Sequence, residues 1–411
     1  MTKILRNRKD LIMLTLCALF FFFGVITVQA MTYYVAPGGS DLNDGLSAGS
    51  PFLTIQKGID SVTAPGDIIT VANGTYTDTD GNGVVGYIRS PNPNGASGNP
   101  ITLKSTNPLG AKITVPSKDG QGNHGIYIDR AYWIVEGFDI SGGRSTALGT
   151  GHSGITLNGS NGSVVRKNAL HHVARTVCSN SVIGNAGIYT SPAASNTIIE
   201  DNQIYSNGRL NNGESGCSTI INGNDHGIYL EGSTGLTIQH NIFYDDNRGW
   251  PIHVYNGYGL TASNINIYNN TFADKSPLGA TGPAGHVLIA RGVRNITIKN
   301  NISYDPYSGM VRCSTPTAAT NVLVDHNLTS SAIKSSEPCP AGVTFSNNLV
   351  STSPGFVRAG TRDYRLVSSS AAIDAGTDVG LPFSGAAPDI GAYESNGGFV
   401  APAAPTNLRV Q

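Results

Sequence analysis

The residues best suited to acid–base chemistry fall between positions 225 and 255. In NDHGIYLEGSTGLTIQHNIFYDDNRGWPIHVY, Asp225 and His226 stand just before a strand-like GIYLE that carries Tyr229, and Arg248 and His253 follow one repeat later. Imidazoles exchange protons near neutrality, a guanidinium fixes an anion, and a phenol can give its proton to a departing oxygen. Together they meet the needs of a β-elimination beside a carboxylate. Arg248 would neutralise the carboxylate, His226 or His253 would take the neighbouring proton, and Tyr229 or Tyr189 would protonate the leaving oxygen. Asp225, next to His226, is the candidate to orient the imidazole. A plainer explanation stands beside this one. His124, His152 and His286 precede the same strand in other repeats, so a ladder of hydrogen-bonded corner histidines would account for the pattern without catalysis.

A repeat must position these groups. Ile228 and Leu230 alternate with Gly227, Tyr229 and Glu231, and Leu236 and Ile238 form a second apolar alternation that runs to Asn241. Aligning on that asparagine recovers Gly137, Asn168, Asn202, Asn270, Asn301, Asn327 and Asn348, with intervals of 31, 34, 39, 29, 31, 26 and 21 along the series. Three residues before each anchor stand Ile134, Val165, Ile199, Ile238, Ile267, Ile298, Val324 and Phe345. Such a period predicts an all-β solenoid whose coils bury apolar faces on one another. Asparagine suits the corner because it tolerates left-handed backbone and its amide can bond to the next coil.

In the GIY strand the inward residues are then Ile126, Ile128, Ile155, Leu157, Ile188, Ile228, Leu230, Ile252 and Val254. One outward level holds Tyr127, Thr156, Tyr189, Tyr229 and His253, and the next holds Asp129, Asn158, Ser191, Glu231 and Tyr255. Aromatic faces with a polar rim suit a sugar chain, although stacked tyrosines also simply steady parallel strands. The two longest insertions, His171 to Asn185 and Ser206 to His226, precede this strand in adjacent coils and are expected to rise over it. The expected binding set is Tyr189, Tyr127, Tyr255, Glu231, Arg175 and His172.

With 51 glycines, 13% charged residues and a net charge of −1, the chain suits many short strands and excludes bulk attraction to nucleic acid or anionic membranes. Residues 1–30 carry Lys3, Arg6, Arg8 and Lys9, then LIMLTLCALFFFFGVITV, and end on Val28-Gln29-Ala30. They read as a secretory leader with the mature chain starting at Met31, or alternatively as an uncleaved anchor. The body of the protein is thus expected outside the cytoplasm, as a monomer. Loss of Cys17 with the leader leaves four cysteines. Cys313 and Cys339 share a phase in consecutive coils, and Cys178 and Cys217 lie in the two long insertions, so the expected disulfides are Cys178–Cys217 and Cys313–Cys339.

The mature start, YYVAPGGSDLNDGLS…PFLTIQKGID…PGDIITVANGTY, followed by GIY…N coils, resembles the secreted right-handed parallel β-helix proteins of the pectate-lyase-like superfamily. The closing DYRLVSSSAAIDAGTDVG…DIGAYES also resembles the end of many such chains. The likeness spans residues 32 to 395. It implies an N-terminal cap over 31–65 with a short helix across Thr54 to Val62, a β-helix over 66–350 and a closing segment over 351–395. Residues 396–411 read as an Ala/Pro linker and stub, in which TNLRV resembles the first strand of a fibronectin type III module. For activity it implies a polysaccharide lyase acting on an acidic, uronate-containing glycan. A C5-epimerase, a glycan-binding adhesin and an envelope module remain alternatives within the same superfamily. Polygalacturonase-type hydrolysis fits poorly, because the outward carboxylates Asp129 and Glu231 stand three coils apart. Many pectate lyases use Ca²⁺, so that ion stands as an optional cofactor. The carboxylates on offer, Asp201, Asp245, Asp246, Asp41, Asp44, Asp78 and Asp80, read first as solvated turn residues.

Overall fold

Two-residue alternation over four to seven positions leaves each strand with one apolar face and no partner of its own, so neighbouring coils must supply the partner. The computed structural model describes residues 29–395, apart from 148, 181–182, 211, 219–222, 246–248, 258, 274–284, 291 and 315–317. Residues 1–28 of the expected leader, Arg248, Asp246 and the segment after Ser395 therefore lie outside the described residues. From Met31 onward the described residues form one compact unit.

Three parallel sheets run along the unit, of eleven, ten and eight strands among the described residues. The eight-stranded sheet contains the GIY strands and proceeds from Val84–Ile88 through Gly122–Ile128, Gly151–Leu157, Ala186–Thr190, His226–Glu231, Ile252–Tyr255 and Val287–Ala290 to Val311–Ser314. Each strand bonds to the equivalent strand of the next coil. The expected inward residues of the GIY strands, from Ile126 to Val254, are all buried.

Asparagine indexes the coils. The side-chain amide of Asn168 donates to Oδ1 of Asn202 (3.1 Å), and the series continues through Asn241, Asn270, Asn301 and Asn327 to Asn348 at 2.9–3.0 Å. The same oxygens accept the backbone N–H of the preceding coil's asparagine. The left-handed backbone does not fall on these asparagines. It falls one residue earlier, on Lys167, Asp201, His240, Asn269, Asn300, His326 and Asn347, with φ between 47° and 57°. Gly137 (φ 81°) belongs to that earlier position, and Phe138 takes the ladder place by donating its N–H to Asn168. The expected anchor at Gly137 is thus one residue early. Val135, not Ile134, pairs with Val165 and enters the core, because a one-residue shift moves a side chain to the other face.

A helix covers Ile55–Ser61, with Thr54 Oγ1 accepting the Lys57 N–H as its N-cap. It buries Ile55 and Ile59. A Cβ on its Gly58 would lie 2.9 Å from both Ile69 and Val35, so the glycine sets how closely the helix sits on the first strands. At the other end, Phe356–Arg358 pairs antiparallel with Asp363–Leu366. The chain then runs back along the ten-stranded sheet, where Asn269 and Asn300 donate to the carbonyls of Asp389 and Thr377. Both expected disulfides are formed, Cys178–Cys217 and Cys313–Cys339.

Removing one buried rung should expose the ladder's weight. Asn241→Ala would strand the amides and carbonyl that Asn202, Asn270 and Ile199 present to it, and should lower unfolding stability by about 2–4 kcal/mol in urea titration. Asn295→Ala, in the exposed column with Asn264 and Asn321, should change it by about 0.5 kcal/mol or less.

Candidate active site

Parallel register turns one position of the GIY strand into a continuous outward column. Tyr87, Tyr127, Thr156, Tyr189, Tyr229, His253, Leu288 and Arg312 pair in succession. Tyr127, Tyr189, Tyr229 and His253 therefore share one flank as expected, and Tyr255 pairs with Glu231 one level on.

The rings are densest around His253. Its ring centre lies 4.7 Å from His226, 5.1 Å from Tyr229, 5.4 Å from Tyr255 and 5.5 Å from Trp250. His226 Nε2 is 3.1 Å from His253 Nδ1, and His226 Nδ1 accepts the backbone N–H of Trp250 at 3.2 Å. Both histidines are enclosed, with 4% and 9% of their surface exposed. Burial pushes His226 down to about 3, and burial with His226 alongside holds His253 well below the ordinary imidazole value. Both rings are thus neutral at pH 7.

Arg248 is outside the described residues. Arg312, at the end of the column, lies 5.6 Å over the Trp250 ring and donates to both oxygens of Glu337 at 2.9 and 3.0 Å. It was missed, although its phase in the strand VRCS marks it as outward. Trp250 was missed too. Its only signal is that it precedes the IHVY strand.

Toward the N-terminus the flank opens into a cavity of about 290 Å³, lined by His124, His152, Tyr189, Tyr229 and Glu231 together with Ile183 and Asn224 of the two long loops. Those loops do rise on this side, tied by Cys178–Cys217. The Tyr189 hydroxyl donates to Glu231 at 2.7 Å, and His124 Nδ1 lies 2.7 Å from Ser153 Oγ and 2.8 Å from Thr156 Oγ1.

Four expected roles change. Asp225 does not orient His226. Its oxygens accept from the Asn185 backbone and amide and from the Arg209 backbone and guanidinium, an ion pair exposed by only 2% and 0%. It anchors a loop, since a buried guanidinium demands such a partner. His226 faces Trp250 and His253 and is closed off from the groove. His172 sits on the ten-stranded sheet, with Nδ1 2.8 Å from His171 and its ring edge-on to Tyr205. Arg175 is held by Glu214 at 2.6 Å. Nor do the other histidines form one ladder. His152 bonds to Asn185, whereas His286 faces inward, stacked on Phe272 and 2.8 Å from Ser303.

The donors available for Ca²⁺ do not converge among the described residues. Among the described residues no group of three or more His, Cys, Asp or Glu side chains could hold a metal ion. Asp41, Asp44, Asp78 and Asp80 accept backbone N–H groups of their own loops, and Asp245 pairs with Arg362. No step below runs through a metal.

Acid should unfold the protein by a stated route. Burial takes His286, like His226, to about 3, while the unfolded chain accepts those protons near 6.5. The unfolded state therefore binds more protons between those values, so stability is fully present above pH 6.5 and falls as pH drops through the window. Each of the two rings contributes about 1.4 kcal/mol per pH unit. Urea titrations at pH 7 and pH 5 should show the loss, and equal stability at both would contradict it.

Residues 209–371 match the family described as right handed beta helix region. The chain is 24% identical to pectate lyase L of Dickeya chrysanthemi and 25% identical to pectate lyase L of Dickeya dadantii (strain 3937), in each case over 89% of this chain and 90% of that protein. Among solved structures it is similar to pectate lyase Pel9A, with a TM-score of 0.45 and 17% identity over 90% of this chain and 98% of that one. The chain is a right-handed parallel β-helix protein.

Proposed function

We propose that the protein is a secreted carbohydrate-active enzyme, a polysaccharide lyase that cleaves a uronate-containing glycan by β-elimination. The observation that carries this reading is the unbroken column from Tyr127 through Tyr189 and Tyr229 to His253 and Arg312, under two disulfide-linked loops. Aromatic faces at single-strand steps from Tyr189 through Tyr229 to His253, with Tyr127 two strands before Tyr189, suit sugar rings in a row. The sequence relatives, both pectate lyases by name, support it, and two disulfides fit an oxidising compartment.

In the reaction the C5 proton leaves, its electrons form the C4–C5 double bond, the C4–oxygen bond breaks, and the departing oxygen gains a proton. His253, Tyr229 and Tyr255 are the groups that border the column where this can occur, and Arg248 stays the proposed partner of the carboxylate. His226 contributes only through His253. Glycoside hydrolysis is disfavoured because Asp129 and Glu231 are separated by the strands of Asn158 and Ser191, about 14 Å at three strand spacings, and Asp129 is already bonded to Asn158 and Gly159. One observation favours a second reading, a glycan-binding surface without catalysis: His253 is only 9% exposed.

Incubation with polygalacturonate and with alginate, each with and without Ca²⁺, separates the readings. A lyase generates ultraviolet-absorbing unsaturated ends, and an epimerase or a binding protein does not. His253→Ala should lower the rate by about 10²–10³-fold. No absorbance on any uronate would sink the lyase, and an unchanged rate in the variant would sink this site.

A further inference from the structure

We propose that His253 is a preset hydrogen-bond donor to a uronate carboxylate and not the group that takes the proton, because a chain of bonds beginning at the Trp250 backbone dictates which of its nitrogens carries hydrogen. The carboxylate as acceptor rests on the lyase reading above; the tautomer does not.

A backbone N–H can only donate. That of Trp250 points at His226 Nδ1, so this nitrogen must be the bare one, and a neutral ring then holds its hydrogen on Nε2. His226 Nε2 faces His253 Nδ1, so the bond runs from His226 to His253. His253 Nδ1 is therefore the acceptor, and its hydrogen sits on Nε2. The reverse arrangement would place hydrogen on His226 Nδ1, against the Trp250 N–H, with two donors facing each other.

The local backbone is built for this contact. A Cβ at residue 249 would lie 2.2 Å from the Asp225 carbonyl oxygen and 2.5 Å from His226 Nδ1, so only glycine lets the chain come this close. Gly227 donates its N–H to the Trp250 carbonyl at 3.1 Å and His226 donates to the Asn185 carbonyl at 2.8 Å, which fixes both ends. Burial keeps both rings neutral, in agreement with the relay.

The relay ends on an unmet donor. Among the described residues, buried His253 Nε2 has no hydrogen-bond partner, within a ring of Tyr229, Tyr255 and Trp250. A buried N–H without an acceptor is unfavourable until one arrives. A uronate carboxylate is such an acceptor, and its charge grows as the C5 proton departs, so a neutral donor that the enclosing rings uncover to it stabilises the transition state. Proton abstraction then falls to another side chain of the column.

The test is nitrogen-15 NMR of histidine-labelled protein at pH 7, with long-range proton correlations that report which ring nitrogen is protonated. Both His226 and His253 should be Nε2–H tautomers. His226→Phe, which keeps a ring but removes the donor, should release His253 to a mixture of tautomers. Gly249→Ala, which pushes the backbone off Nδ1, gives the same reading if the first variant fails to fold. Trigalacturonate should shift the His253 Nε2–H resonance, and its methyl-esterified counterpart should not. His253→Gln, which retains an N–H near the same place, should keep uronate cleavage within about tenfold of wild type, in contrast to the about 10²–10³-fold loss on truncation to alanine. An Nδ1–H or doubly protonated His253 overturns the relay, and an unmoved resonance overturns the carboxylate. Nε2–H tautomers in a protein that cleaves no uronate would instead sink the lyase reading and leave the relay standing.

Discussion

The hydrogen bond between one coil's asparagine and the next is the constraint on which everything else in this molecule depends. A parallel pair of short strands could slip by one residue, and each slip would send its apolar residues outward. The asparagine column prevents this, because each amide reaches both the coil before and the coil after: Asn241 donates to the Ile199 carbonyl and to Asn270, and accepts from Asn202. Buried amides satisfied on every side are stiff, and a stiff register is what makes a side-chain column possible.

The groove follows from that register. Nothing in the strand His226–Glu231 alone brings Tyr229 beside His253, and the loops between repeats differ in length. The two meet because their coils are stacked in phase, which sets their rings 5.1 Å apart. Variable corners are then free to carry function. The loops over 174–185 and 206–225 lengthen without disturbing the strands; Cys178–Cys217 joins them, and the buried Arg209–Asp225 pair of the second bonds to Ser179 and Asn185 of the first.

Strand alternation made the fold and the column legible in the sequence, since inward aliphatic and outward aromatic positions repeat with the strand. The slip at Gly137 shows the limit. Glycine and asparagine both favour a corner, and only the sheet register shows that Gly137 takes the left-handed position while Phe138 takes the rung. The loop chemistry was not legible for a physical reason: contacts made by insertions depend on three-dimensional reach and not on period. Thus Asp225 turned out to serve Arg209, and His172 came to rest on another sheet beside Tyr205. Arg312 was within reach of the same alternation argument, since it continues the column after Leu288. The pairing of His226 with a backbone N–H was not, because it depends on how closely Gly249 lets two coils approach.

The central claim is that this column is a track for an acidic sugar chain, and a crystal structure of the protein soaked with an oligogalacturonate tests it most directly. The account predicts sugar rings following the flank from Tyr127 to His253, with a carboxylate oxygen at hydrogen-bonding distance, about 3 Å, from His253 Nε2. An oligomer lying along either of the other two sheets, or crossing the column without approaching His253, would contradict it.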